Sequence, residues 1–122
     1  MEYVALAVQQ PFATAIIEGM KKIELRSWKT NYRGTLLICA TKRPVVVLDD
    51  GEVLPTGCAL GTVELVDIRP FTPKDVKDAW ADEWQPGLWA WVLKKPRIFK
   101  RPIPVSCRQR LFKVQISDDE LM

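Results

Sequence analysis

The chain has 122 residues, 48% apolar and 27% charged, with 18 Lys and Arg against 15 Asp and Glu. That length and composition suit one globular domain over 1–122. No apolar run nears the ~20 residues of a membrane-spanning helix, and the first residues lack the pattern of a secretory leader. Three scattered cysteines and no histidine offer no metal-ligand set. The thiols read as buried, reduced side chains of a cytoplasmic protein, and nothing calls for a cofactor.

In chain order, Tyr3 to Val8 reads as a buried strand that Gln9-Gln10-Pro11 breaks. Residues 11–20 carry Phe12, Ala15, Ile16 and Gly19 at helical spacing, with Pro11 in the first turn and Gly19 suited to end the helix. Residues 23–29 alternate with period 2, so Glu24, Arg26 and Trp28 share one face of a strand. Residues 31–34 form a turn, 35–41 a central strand, and 44–55 a loop with a short strand at 45–48. Ala59 to Ile68 makes a long strand, and Thr72-Pro73 opens a short helix over 73–80. Strands follow at 88–93, 97–104 and 111–116, the second marked as edge or bulged by Pro102 and Pro104. The acidic tail 117–122 is expected to fray. Together these elements suggest an α+β fold: a small mixed β-barrel of five to six strands with two or three short helices.

The charges are segregated. Residues 21–43 hold seven Lys or Arg and one acid, and residues 94–113 hold eight and none. Residues 49–84 hold nine Asp or Glu against three basic residues. If the fold joins the two basic blocks, one face attracts anions; if strands scatter them, no patch forms. Glu24, Arg26 and Trp28 supply an acceptor, a forked phosphate donor and a stacking surface, with Lys21 close by. The alternative is a surface ion pair beside a core tryptophan.

Gln10-Pro11-Phe12-Ala13 followed by Gly19-x-Lys21-x-x-Glu24-x-Arg26 resembles the signature of the ASCH domain, a branch of the PUA-like superfamily. The resemblance continues through Trp28 to Gly34, Gly61 to Asp67, Trp89 to Leu93 and Pro102 to Val105. Arg110 departs from it, standing where glycine is usual. The resemblance implies a PUA-like barrel with a cleft beside the first helix that faces nucleic acid. Carried onto this sequence, Lys21, Glu24 and Arg26 line that cleft, with Trp28 and Arg33 nearby. One branch of the family removes the acyl group from acetylated cytidine with a threonine nucleophile, and Glu24 stands at that threonine's position. A carboxylate cannot form the same ester intermediate.

Three functions are open to this sequence. As a binding module for single-stranded RNA or a nucleotide, it would use Lys21, Glu24, Arg26, Lys29, Arg33 and Lys42 for polar and phosphate contacts, and Trp28 for stacking. As a hydrolase on RNA or a modified nucleoside, it would use Glu24 as general base and Lys21 to stabilise developing charge. Flanked by cations, Glu24 suits an orienting role better. As a protein-interaction module, it would present its charged stretches to a larger partner.

Overall fold

The apolar runs form six strands: β1 (Glu2–Val8), β2 (Ile23–Arg26), β3 (Gly34–Ala40), β4 (Cys58–Pro70), β5 (Trp89–Pro104) and β6 (Leu111–Gln115). Two short helices complete the set, α1 (Phe12–Ile17) and α2 (Asp118–Leu121). This computed structural model describes residues 1–121. The strands join one sheet in the order β2-β5-β4-β3-β1-β6. β1 and β3 run parallel and the other pairs antiparallel. The sheet curls into a half-barrel, so that β2 at one edge comes within reach of β1 across three intervening strands: Arg26 Nη2 donates to Ala7 O at 2.8 Å.

The concave side is filled by Leu6, Leu36, Ile38, Val63, Leu65 and the fully buried Trp91, closed by Ile16 and Ile17 of α1. A second cluster, with Leu37, Ile103, Phe112 and Ile116, lies on the other side of the sheet. Gly61 lets α1 and β5 approach β4. A Cβ there would stand 2.1 Å from the Arg97 carbonyl oxygen and 2.7 Å from Ile17 Cδ1. No helix among the described residues is long and apolar enough to cross a membrane.

Several elements differ from the sequence reading. The strand expected over 23–29 ends at Arg26, with Trp28 in the bend that follows, and the short strand expected at 45–48 is reduced to a single bridge between Val47 and Val53. The two expected strands at 88–93 and 97–104 are one strand, β5, carried across Lys95-Pro96 by a register shift, with Lys95 at φ +51°. This is a bulge, in which proline costs no ladder hydrogen bond. Beyond Val92 the strand pairs only with β4, so Pro102 and Pro104 lie on an open edge as their chemistry requires. The expected helix over 73–80 is a single 3-10 turn at Pro73–Asp75 followed by irregular turns. Its internal bonds have mixed spacing, with Lys77 O, Asp75 O and Val76 O accepting from amides three, four and five residues on, while Asp78 O accepts from the Lys22 and Ile23 amides and Ala79 O from Lys21 Nζ. The first helix is also shorter than 11–20, ending at Ile17, with Gly19 at φ +82°. The tail contains one helical turn, α2, in which Ser117 and Glu120 exchange hydrogen bonds. Cys39 and Cys58 are buried and Cys107 half-buried, all free thiols. Burial, aided by Cys107 and Cys58, pushes the Cys39 thiol up to about 12.

Candidate functional site

The open seam of the half-barrel is a cleft of about 490 Å³ between β2, the end of β1, the start of α1 and the loop before β6. β2 places alternate side chains on opposite sides. Ile23 and Leu25 pack against Phe71, Ala79 and Ala90, whereas Glu24 and Arg26 turn the other way. Glu24, Arg26 and Trp28 all line the cleft, together with Phe12, Arg108 and Arg110.

Lys21 does not line it. Its ammonium is buried, 3% exposed, and donates to Ile23 O at 2.6 Å and Ala79 O at 2.7 Å, with Glu24 Oε1 at 3.2 Å. These three acceptors match its three N–H bonds. Burial pushes the Lys21 pKa down, opposed by the charge and hydrogen bond of Glu24. Lys21 is therefore a fixed internal cation that ties the start of β2 to the turn at Ala79. Glu24 spans two cations, with Oε1 toward Lys21 and Oε2 2.9 Å from Arg26 Nη2. The row Lys21–Glu24–Arg26 thus grades from interior to cleft, and Arg26 is the member that reaches solvent.

Arg26 retains unused donors. Nη2 serves Glu24 and Ala7 O; Nε is buried without a hydrogen-bond partner, while Nη1 has no partner among the described residues and is not shut away from solvent. An unpaired buried guanidinium N–H costs about 1–3 kcal/mol, so the side chain is held for its position. Trp28 is half-buried. It meets Trp91 edge to face, centroids 4.9 Å apart and planes at 80°, while Trp91 Nε1 donates to Trp28 O. The Arg110 guanidinium lies 5.0 Å from the Trp28 ring centre. Arg110 stands at φ +57°, a conformation that glycine adopts freely and other residues at a cost of about 1–2 kcal/mol. The position where the resemblance expects glycine is therefore a left-handed turn, and here the arginine side chain leans over the tryptophan.

Lys29, Arg33 and Lys42 lie outside the cleft lining. Lys29 Nζ sits 4.4 Å from the Trp89 ring centre. Arg33 Nη1 donates to Thr30 O and Tyr32 O and pins its own turn. Lys42 is exposed, its stem against Gly57. Sequence reasoning had not singled out Arg108 for the cleft, although it belongs to the acid-free block 94–113 that signalled it. The two basic blocks do meet, through Arg26 on one side and Arg108 and Arg110 on the other. No group of three or more His, Cys, Asp or Glu side chains converges among the described residues.

Comparison with known proteins agrees with this architecture. Activating signal cointegrator 1 of Homo sapiens is 27% identical over 128 residues, and that of Mus musculus 29%. The match takes in 89% of this chain but only 22% of either relative's length. The crystal structure of ASCH from Zymomonas mobilis superposes with a TM-score of 0.65 at 18% identity, covering 97% of this chain and 90% of that one. A mutant of the same protein superposes equally well, with 92% of its chain covered. That likeness establishes a shared fold. The family model of the ASCH domain matches residues 6–103, and the chain belongs to the ASCH domain family.

Proposed function

We propose that this chain binds single-stranded RNA or a nucleotide in the seam cleft. The observation that carries this reading is the convergence of Arg26, Arg108 and Arg110, drawn from two distant stretches of sequence, around Trp28 in one hollow. Its volume of about 490 Å³ is in the range of ligand pockets. Guanidiniums recognise phosphate in a bidentate fashion. Unstacked bases of single strands settle on aromatic or guanidinium planes, and the Trp28–Arg110 pair offers both.

The pairing of Glu24 with two cations supports an orienting carboxylate rather than a general base, and Lys21 has no donor left for substrate. These points favour binding over hydrolysis. The relatives' name, a signal cointegrator, supports a second reading as a protein-interaction module. For that reading the loop 44–55 supplies exposed Val45, Val47 and Val53 among acidic neighbours.

Fluorescence anisotropy with a labelled single-stranded RNA tests the first reading. Stacking and charge-assisted contacts are each worth about 1–3 kcal/mol. Trp28→Ala and Arg26→Ala are therefore each expected to weaken binding about tenfold or more, with Arg108→Ala, at an exposed position, as the variant that leaves the core untouched. Unchanged affinity in all three variants would overturn the cleft as the binding site. Turnover of RNA or acetylated nucleosides that Glu24→Gln abolishes would favour the hydrolase instead.

A further inference from the structure

The second basic block does more than supply Arg108 and Arg110. Its first part lies on β5, where Lys94, Lys95, Arg97, Lys100 and Arg101 are all exposed. None of these five pairs with a carboxylate among the described residues. β2 leaves β5 after Val92, so this stretch has an open edge. The bulge at Lys95-Pro96 turns the strand, and Lys95 lines two hollows at once. One, of about 760 Å³, lies on the convex face of the sheet and holds Tyr3, Thr35, Glu64, Arg97, Phe99 and Lys100. The other, of about 500 Å³, holds Lys22, Arg69 and Lys94 beside Asp78. Neither hollow shares Arg26, Trp28, Arg108 or Arg110 with the seam cleft.

We infer that the bulged segment Lys94–Lys100 is a second nucleic-acid surface: a track for the sugar-phosphate backbone of single-stranded RNA, separate from the cleft. The segment spans about 20 Å at strand rise, the length of about six stacked nucleotides. Its cations are unpaired and mounted on long stems, as non-specific phosphate contacts require. The hollow beside it is suited to bases. Tyr3 and Phe99 are half-buried aromatics at its wall. Glu64 accepts from Thr35 Oγ1 through Oε2 at 2.8 Å, leaving Oε1 as an acceptor for an exocyclic amino group or a 2′-hydroxyl. Glu64 repels any carboxylate or phosphate that enters the hollow, so it admits the uncharged, amino-bearing bases of RNA and not the side chains of an acidic protein. At the far end, Asp119 and Glu120 of α2 lie beside Arg101 and Pro102. A polyanion is repelled there, and the track runs from Lys100 towards Lys94.

The experiment compares the whole chain, the cleft variant Arg26→Ala and the triple strand variant Lys94→Gln, Arg97→Gln, Lys100→Gln. The probe is a fluorescein-labelled oligouridylate of about 20 nucleotides, titrated between about 50 and 200 mM salt. The triple variant removes only exposed side chains, so its thermal unfolding is expected to match the parent. Losing three phosphate contacts makes the log–log salt dependence shallower by about two, with affinity at the lower salt reduced at least tenfold. The cleft variant changes that slope by less than about one. A triple variant with affinity and slope equal to the parent overturns the track. So does polyglutamate displacing the RNA as effectively as unlabelled oligouridylate, which would assign the strand to acidic proteins. Because the variants report separately, Arg26→Ala, Trp28→Ala and Arg108→Ala all binding like the parent beside a weakened triple variant defeats the cleft reading alone.

Discussion

The seam cleft and the bulged half of β5 are both basic, yet they are built on opposite plans. In the cleft, Arg26 is locked by Glu24 and Ala7 O, and Glu24 in turn by a buried Lys21. On β5, five exposed cations have no acid partner among the described residues. A charge held by internal partners has its orientation fixed before a ligand arrives, but its removal damages the fold. A charge in solvent contributes little to folding and can follow a flexible partner.

The sharpest way to break this contrast is Glu24→Ala. It strips a buried ammonium of its one counter-charge among the described residues, and removing one member of a buried pair costs about 3–5 kcal/mol. Urea unfolding is expected to show a loss in that range, set against less than about 0.5 kcal/mol for Lys94→Gln at an exposed position. A loss for Glu24→Ala as small as that for Lys94→Gln would erase the distinction. Next in size is Gly61→Ala, at the point where β4, β5 and α1 meet and the two regions are joined. A methyl group 2.1 Å from a backbone oxygen forces the strands apart, so a loss of about 1–3 kcal/mol or more is expected in thermal unfolding. An unchanged melting temperature would show that the close approach is not required.

The smallest effect sharpens the comparison with an intermediate case. Asp75 is buried, but its partner Arg69 is 40% exposed. The Arg69 guanidinium, with the Thr72 amide and hydroxyl, holds the Asp75 carboxyl down to about 2. The folded carboxyl is more acidic than the unfolded one. The stabilisation is therefore complete above the ordinary carboxylate range, near pH 4, and is lost as pH falls towards about 2. After allowance for solvent screening at Arg69, about 1–2 kcal/mol is expected to disappear between about pH 5 and pH 2. Asp75→Asn should flatten that part of the stability profile, and an unaltered acid limb in the variant would assign it to other groups.

Much of this was legible in the residues themselves. Period-2 alternation placed Glu24 and Arg26 on one face because side-chain direction along a strand is a local property, whereas Trp28 reaches the same cleft from a bend beyond the strand. The apolar runs of β1, β3 and β4 were equally plain, and the acid-free block flagged the region that holds Arg108 and Arg110. The rest was hidden by distance. Nothing near Lys21 in sequence reveals that Ala79, 58 residues on, supplies a carbonyl to its ammonium. The turns after Pro73 are hidden in the same way, since Asp78 O at their end accepts from the distant Lys22 and Ile23 amides. Lys95-Pro96 resembled a strand end because proline usually stops pairing, and only the partner strand's register shift shows a bulge.

The single hydrogen bond from Arg26 to Ala7 carries a mechanical implication. It fastens the edge strand β2 to β1, two strands that no backbone ladder joins among the described residues, so the residue best placed to greet a phosphate is also the latch of the barrel. A guest that recruits this guanidinium must either leave the latch shut, using Nη1 alone, or spring it. Grip on the ligand and closure of the wall are thereby coupled in one side chain.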